Sequence, residues 1–261
     1  MFATYVVAAL GIVLASLAAA LMLRLLEPDL SDREVLTGLS ALVAGGLASS
    51  AALALTVLVA STGLTPARLR LVPGRESGFA IGIMIVGVLS LGQALDSLTV
   101  VAGLAHRGSM ESIRRALAGA SGSSLFFAVV VIGFIAGTAE EVFFRGYMQS
   151  LLRERWASTS AIIATSLCFG ILHADWVHTP LAFALGLYLG FITELSGSAL
   201  PAVACHIVNN GVFTVLTAVA GTLRGFWPNV GMLGVSTLVF AACIVWLVYA
   251  MPKHVRRVER A

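Results

Sequence analysis

The chain has 261 residues, of which 59% are hydrophobic and 11% charged, with a formal net charge of +3. A soluble globular domain carries about 25% charged residues, so this composition, with a mean hydropathy of +0.97, excludes a fold that must cover itself in polar surface. The small net charge gives no basis for a nucleic-acid partner and fits arginines gathered at the edges of membrane helices.

The apolar runs are too long for barrel strands. The sequence therefore predicts an all-α, polytopic membrane bundle of about eight transmembrane helices in one domain, 1–261. The first span covers 3–26. It begins without a basic leader and is read as a helix that stays, with a cleaved signal peptide as the alternative. The second runs over 35–61, where Gly45 and Gly46 permit close helix approach, and the third over 78–104, with Gln93 and Asp96 in mid-span. The stretch 109–118 is amphipathic, Glu111, Arg114 and Arg115 opposing Met110, Ile113 and Leu117, and predicts an interfacial helix.

A fourth helical pattern runs from Ser124 to Trp156. The fifth span is 158–173, the sixth 181–195, the seventh 200–219 and the eighth 230–250, with a tight turn at Ser196-Gly197-Ser198. Cys168, Cys205 and Cys243 are widely spaced in apolar runs and read as core residues, not as a disulfide set or a cysteine-rich metal site. Lys and Arg set the orientation. The side bearing both termini carries Arg68, Arg70, Arg75, Arg153, Arg155, Lys253, Arg256, Arg257 and Arg260. The opposite loops carry Arg24, Arg33, Arg107, Arg114, Arg115 and Arg224. Nine against six places both termini in the cytoplasm, across the cytoplasmic (cell) membrane.

Three polar clusters interrupt the spans: Glu140, Glu141 and Arg145 on the fourth, His173 on the fifth, and His206, Asn209 and Asn210 on the seventh. Ionisable groups inside a membrane are costly and mark function. Glu141 and Arg145, four apart, share a face and can pair. Glu140 is turned about 100° from Glu141 at ~3.6 residues per turn. Phe169 shares a face with His173, and His206 with Asn210. Glu140 and His173 lie 16 residues either side of the 156–157 turn, at matching heights of roughly 24 Å by a rise of ~1.5 Å per residue. His206 lies only about 13 Å from its own turn by the same rise. If the 153–155 hairpin projects beyond the membrane, all three clusters meet on the cytoplasmic side of the bilayer.

Such a set can hold a water, take its proton and donate to a tetrahedral oxyanion. Glu140, His173 and His206 could instead bind a divalent metal such as Zn²⁺. The His-Glu-x-x-His helix of many zinc proteases is absent.

The ordered trio Glu140-Glu141-x-x-x-Arg145, Phe169-x-x-x-His173 and His206-x-x-x-Asn210 resembles the signature of the CAAX-processing and bacteriocin-processing family of intramembrane proteases. That family includes the type II CAAX prenyl endopeptidases and the bacterial Abi-type proteins. The similarity covers 124–219, and Phe144-Arg145-Gly146-Tyr147 is similar to the family's continuation after the glutamates. The resemblance implies an eight-helix bundle that hydrolyses a peptide bond of a membrane-associated or lipidated substrate without a covalent intermediate. It implies that Glu140 and His173 activate the water, His206 and Asn210 form the oxyanion hole, and Glu141 and Arg145 support them. Whether a metal takes part is left open by the resemblance.

Two readings compete: a proton-coupled transporter, for which no internal repeat is found, and a non-catalytic scaffold of the bacteriocin-immunity kind. Gln93 and Asp96 read as interhelical hydrogen bonds, Asn209 as packing, and His106, His178 and His254 as solvated. Asp175 and Trp176 read as interface residues beside His173. The phenyl rings Phe126, Phe127, Phe134 and Phe143 read as packing and lipid contact, while Phe144 and Phe169 are candidates for shaping the substrate pocket.

Overall fold

The computed structural model describes residues 1–251, so the calls on Lys253, His254 and the arginines beyond them fall outside the described residues. Those residues form ten helices and no strand: α1 Phe2–Leu26, α2 Asp32–Thr37, α3 Leu39–Ala60, α4 Gly78–Val101, α5 Gly108–Leu117, α6 Gly122–Arg153, α7 Ser158–Leu172, α8 His178–Ser196, α9 Leu200–Val219 and α10 Phe226–Tyr249. Seven (α1, α3, α4, α6, α8, α9, α10) are long and apolar enough to cross a membrane. The fifth expected span, which forms α7, has 15 residues. At ~1.5 Å per residue it falls short of a hydrocarbon core about 30 Å thick, and it is held between α6 and α8. The protein is an integral, multi-pass membrane protein whose outward faces present side chains such as Leu14, Leu25, Leu58 and Leu238, all more than 60% exposed.

Two expected spans differ in detail. The second is broken at Gly38, whose extended backbone separates α2 from α3. Ser31 and Glu34 form a capping box there, each side chain satisfying the other's backbone N–H, which starts a separate short helix before the apolar run begins. The fourth is one helix, but two stretches of it, Val129–Ala136 and Val142–Gln149, are wound as π-helix on either side of Gly137–Glu141. Such turns shift the phase of every side chain beyond them and recur at functional sites.

The helices pair as α1 with α3, α4 with α10 and α7 with α8, and α9 lies centrally against α4, α6 and α8. Small residues set the α6–α9 crossing. A Cβ on Gly133 would sit 3.3 Å from Cα of Gly211, and one on Gly137 3.3 Å from N of Ile207. Side chains at either position would push the helices apart and carry Glu140 and Glu141 away from His206. Of the glycines expected to aid packing in α3, Gly46 does so, against Val131 of α6, while Gly45 faces open space.

The face of the bundle nearest Met1 and Tyr249 is sealed. Glu194 of α8 accepts from Arg70 (2.6 Å), Gln149 (3.0 Å), Arg153 (2.9 Å) and Ser158 (2.9 Å), tying the 61–77 loop, α6 and α7 together. That loop also lies over the α8–α9 turn: Arg75 N donates to Ser196 O, Ala199 N to Arg70 O and Ser198 Oγ to Val72 O. Ser196, Ser198 and Ala199 are fully buried. The tight turn is present, with Gly197 left-handed at φ +77°, but it lies inside the protein. Helix α9 therefore starts deep, which is why His206, close to its own turn in sequence, reaches the level of Glu140.

Candidate active site

On α6 the residues from Gly137 to Gln149 form one polar line through an apolar helix. Glu141 and Arg145 are fully buried and joined by Oε1–Nη1 contact at 2.9 Å. Arg145 Nη2 donates to Gly186 O at 3.0 Å and Gln149 Nε2 to Gly190 O at 3.0 Å. The absence of a side chain at Gly190 lets Gln149 of α6 reach the α8 backbone, while Gly186 makes room for Ser166 and Phe169 of α7. A Cβ at Gly190 would come within 3.0 Å of Gln149 Oε1. The guanidinium also lies 4.8 Å from the Phe169 ring centroid and 5.9 Å from that of Phe144. A buried charge needs this degree of compensation.

Glu141 has a second task that its spacing to Arg145 does not reveal. Its Oε1 also meets Nδ1 of His206, at 2.7 Å. A carboxylate can only accept, so Nδ1 carries the proton and the other ring nitrogen, Nε2, is turned toward Glu140 Oε2, 3.7 Å away. His206 is thus flanked by both glutamates of the pair. Glu140 is the more open of the two, its side chain 20% exposed against none for Glu141.

His173 follows the last residue of α7. Its Nδ1 lies 2.9 Å from Phe169 O. A carbonyl only accepts, so this ring donates from Nδ1 and Nε2 is left as an acceptor. Phe169 stands between the two histidines, its ring centroid 5.0 Å from that of His173 and 5.8 Å from that of His206. Ala174 then turns the chain with a left-handed φ of +47°, a conformation an alanine adopts only under constraint.

Glu140, His173, His206, Asn209 and Asn210 all line one cavity of about 650 Å³, within the range of ligand sites. Its walls come from α3, α4, α5 and α9, with Gln93, Asp96, Ser109, Arg114 and His178 among the polar groups. Residues 122–212 match a family model described as type II CAAX prenyl endopeptidase Rce1-like. This part of the chain is similar to the CAAX-protease family. No curated protein and no solved structure matches the chain. The match takes in all three polar clusters, and the family it describes is one of prenyl endopeptidases.

Several residues stand differently from their sequence reading. Phe144, expected at the substrate pocket, is fully buried and packs on Phe143, Tyr5 and Phe169 behind the cavity wall; Phe169 does line the cavity. Asn209, expected as packing, lines the cavity and donates to Asn210 Oδ1 at 3.3 Å, while Asn210 Nδ2 donates to Ile132 O at 3.3 Å. Asp96 makes its interhelical bond, an ion pair with Arg114 of α5, but Gln93 bonds within its own helix to Ser97.

His178, expected as solvated, is half-buried and lines the cavity. It lies against His173 with ring centroids 4.2 Å apart, and its Nδ1 is 3.3 Å from Ser109 Oγ. Asp175 organises this corner, accepting from the backbone N–H groups of Ser109, Val177 and His178. Burial would raise its carboxyl, but these three donors outweigh burial and hold it below the ordinary carboxylate value. An Asp three residues before a helix-starting His, in a loop after a catalytic candidate, is the signal that could have flagged the cluster.

Among the described residues no three His, Cys, Asp or Glu side chains come together as a metal-binding group. Glu140 and His206 approach each other at 3.7 Å, but His173 does not join them as a third ligand. Glu140, His173 and His206 are therefore not arranged as a zinc triad, and no step is routed through a metal.

The cavity extends from Glu140 and His206 to Leu36, Thr37 and Gly221–Leu223.

Proposed function

We propose that this protein is an intramembrane endopeptidase that hydrolyses a peptide bond of a membrane-associated or lipidated substrate with a water held between Glu140 and His173. The observation that carries this reading is the convergence of Glu140, His173, His206 and Asn210 on one cavity, in a chain whose central part is similar to the CAAX-protease family. Glu140 and the free Nε2 of His173 act as bases toward the water, a role worth about 10²- to 10⁴-fold in rate. The proton so taken passes to the leaving amine. His206, held at Nδ1 by Glu141, donates from Nε2 to the oxyanion when its ring carries both protons. The Asn210 amide supplies the second donor. Removing one oxyanion donor costs about 10²- to 10³-fold.

The test is cleavage of a lipidated or membrane-anchored reporter peptide by purified protein. Glu140→Gln, His173→Ala and His206→Ala should each reduce turnover by at least about 10²-fold while the thermal transition in detergent stays near that of the parent. Full activity in both Glu140→Gln and His173→Ala would overturn the mechanism.

A further inference from the structure

Asn209 and Asn210 are neighbours on α9, and a line of contacts runs through both of them from α4 to α6. At the α4 end, Asn209 Oδ1 fills the space that a side chain at Gly92 would occupy. It lies 2.5 Å from where a Cβ would stand, and Asn209 Nδ2 lies 4.0 Å from that point. The oxygen end of this amide is thus set against α4, and the nitrogen end is turned to Asn210, donating to its Oδ1 at 3.3 Å. Asn210 Nδ2 donates in turn to Ile132 O of α6, at 3.3 Å. Both asparagines line the cavity with Glu140 and His206.

An amide has a donor end and an acceptor end, and only the donor end stabilises an oxyanion. Of the two Asn210 Nδ2 hydrogens, one is used on Ile132 O and one remains for a ligand. Asn210 Oδ1, which would repel an oxyanion, is occupied by Asn209. Turning the Asn210 amide over would set Oδ1 against Ile132 O and Nδ2 against Asn209 Nδ2, two pairings of like ends. We propose that Asn209 is a positioning residue, seated by Gly92, that fixes the Asn210 amide with its nitrogen as donor to the cavity. The use of that donor in hydrolysis rests on the endopeptidase reading; the orientation does not.

The purified full-length protein supplies two readouts. In cleavage of the reporter peptide, Asn209→Leu keeps the branching of the side chain and removes its donor. It should lower kcat by about 10- to 10²-fold through misplacement of Asn210, with KM near the parent's, as for an interaction made only in the transition state. In an Asn210→Ala background the same substitution should cost nothing further. Parent-like kcat, a rise in KM alone, or an equal loss in both backgrounds, with Asn210→Ala itself impaired, overturns the proposal.

The second readout needs no activity. The chain has three asparagines, Asn209, Asn210 and Asn229. Asparagine-selective ¹⁵N labelling in detergent therefore gives three side-chain amide signals, the Asn210 pair being the one lost in Asn210→Ala. Gly92→Ala pushes on Asn209, to which the three nearest atoms around its Cβ all belong. It should move the Asn209 and Asn210 pairs together and leave that of Asn229, which donates to Leu223 O and Gly225 O. Movement of the Asn209 pair without the Asn210 pair overturns the proposal. Parent-like cleavage by Asn210→Ala would instead remove the oxyanion assignment and leave the amide signals as expected, so the two can fail separately.

Discussion

Replacing Glu141 tests the centre of the site without touching the cavity. Its Oε1 accepts from Arg145 at 2.9 Å and from His206 at 2.7 Å, and all three side chains are almost completely buried. Glu141→Ala leaves the Arg145 guanidinium with only Gly186 O and two aromatic faces. Breaking a buried pair by removing one partner costs about 3–5 kcal/mol. Glu141→Gln keeps an acceptor in place but turns two charge-assisted bonds, worth about 1.5–3 kcal/mol each, into neutral ones worth about 1; the loss should be about 1–4 kcal/mol. In both variants His206 loses the anchor that points Nε2 at Glu140, and a misplacement of about 1 Å can cost 10²-fold in rate. Thermal unfolding in detergent and reporter cleavage measure the two effects. Glu154→Ala, which removes the exposed partner of Arg68, is the control and should change neither. If Glu141→Gln matched the parent in both measurements, the role assigned to Glu141 would be wrong.

Glu194→Ala removes the acceptor shared by Arg70, Gln149, Arg153 and Ser158; it should cost about 3–5 kcal/mol and raise amide exchange in the 61–77 loop, read by mass spectrometry. His178→Ala removes the ring against His173 and should lower turnover by up to about 10²-fold through misplacement, with little change in unfolding temperature. Asp175 has a folded-state carboxyl below its ordinary value of 3.8. Its contribution to stability is therefore full above that value and is lost as the pH falls through the lower, folded one. In detergent the parent should lose stability over that acid window, and Asp175→Asn should flatten that part of the profile.

The spans were legible because a membrane helix is signalled by its own composition, residue by residue, and α9 has the predicted bounds. The motif residues were legible because charge within an apolar helix stands out: Glu140, His173, His206 and Asn210 do line one cavity. The failures all concern relations between helices. Helical phase alone assigned Glu141 to Arg145, and it cannot report that His206 arrives from α9 on the same oxygen. Phe144 and Phe169 have the same residue type and similar surroundings in sequence, and only the packing of α1 against α6 places one behind the wall and the other on it. Depth was counted from turns assumed to lie at the surface. The α8–α9 turn is buried beneath a loop, so a count from that turn set His206 and Glu140 at unequal heights.

The burial of Arg145 is informative because stability does not require it. Replacing a buried ion pair with apolar residues of similar volume is often neutral or stabilising by about 1–4 kcal/mol. The pair's structural partners, Gly186 O and the Phe169 face, compensate Arg145 in part, and Phe169 also forms cavity wall. What the pair does reach is His206, through the shared Oε1 of Glu141. A double variant, Glu141→Leu with Arg145→Met, removes both charges together. It should unfold no earlier than the parent and well after Glu141→Ala, yet cleave the reporter as poorly as Glu141→Ala does. Stability regained with activity regained would mean that the pair serves packing alone. Stability regained without activity separates holding the bundle together from holding His206, and assigns the pair to the second.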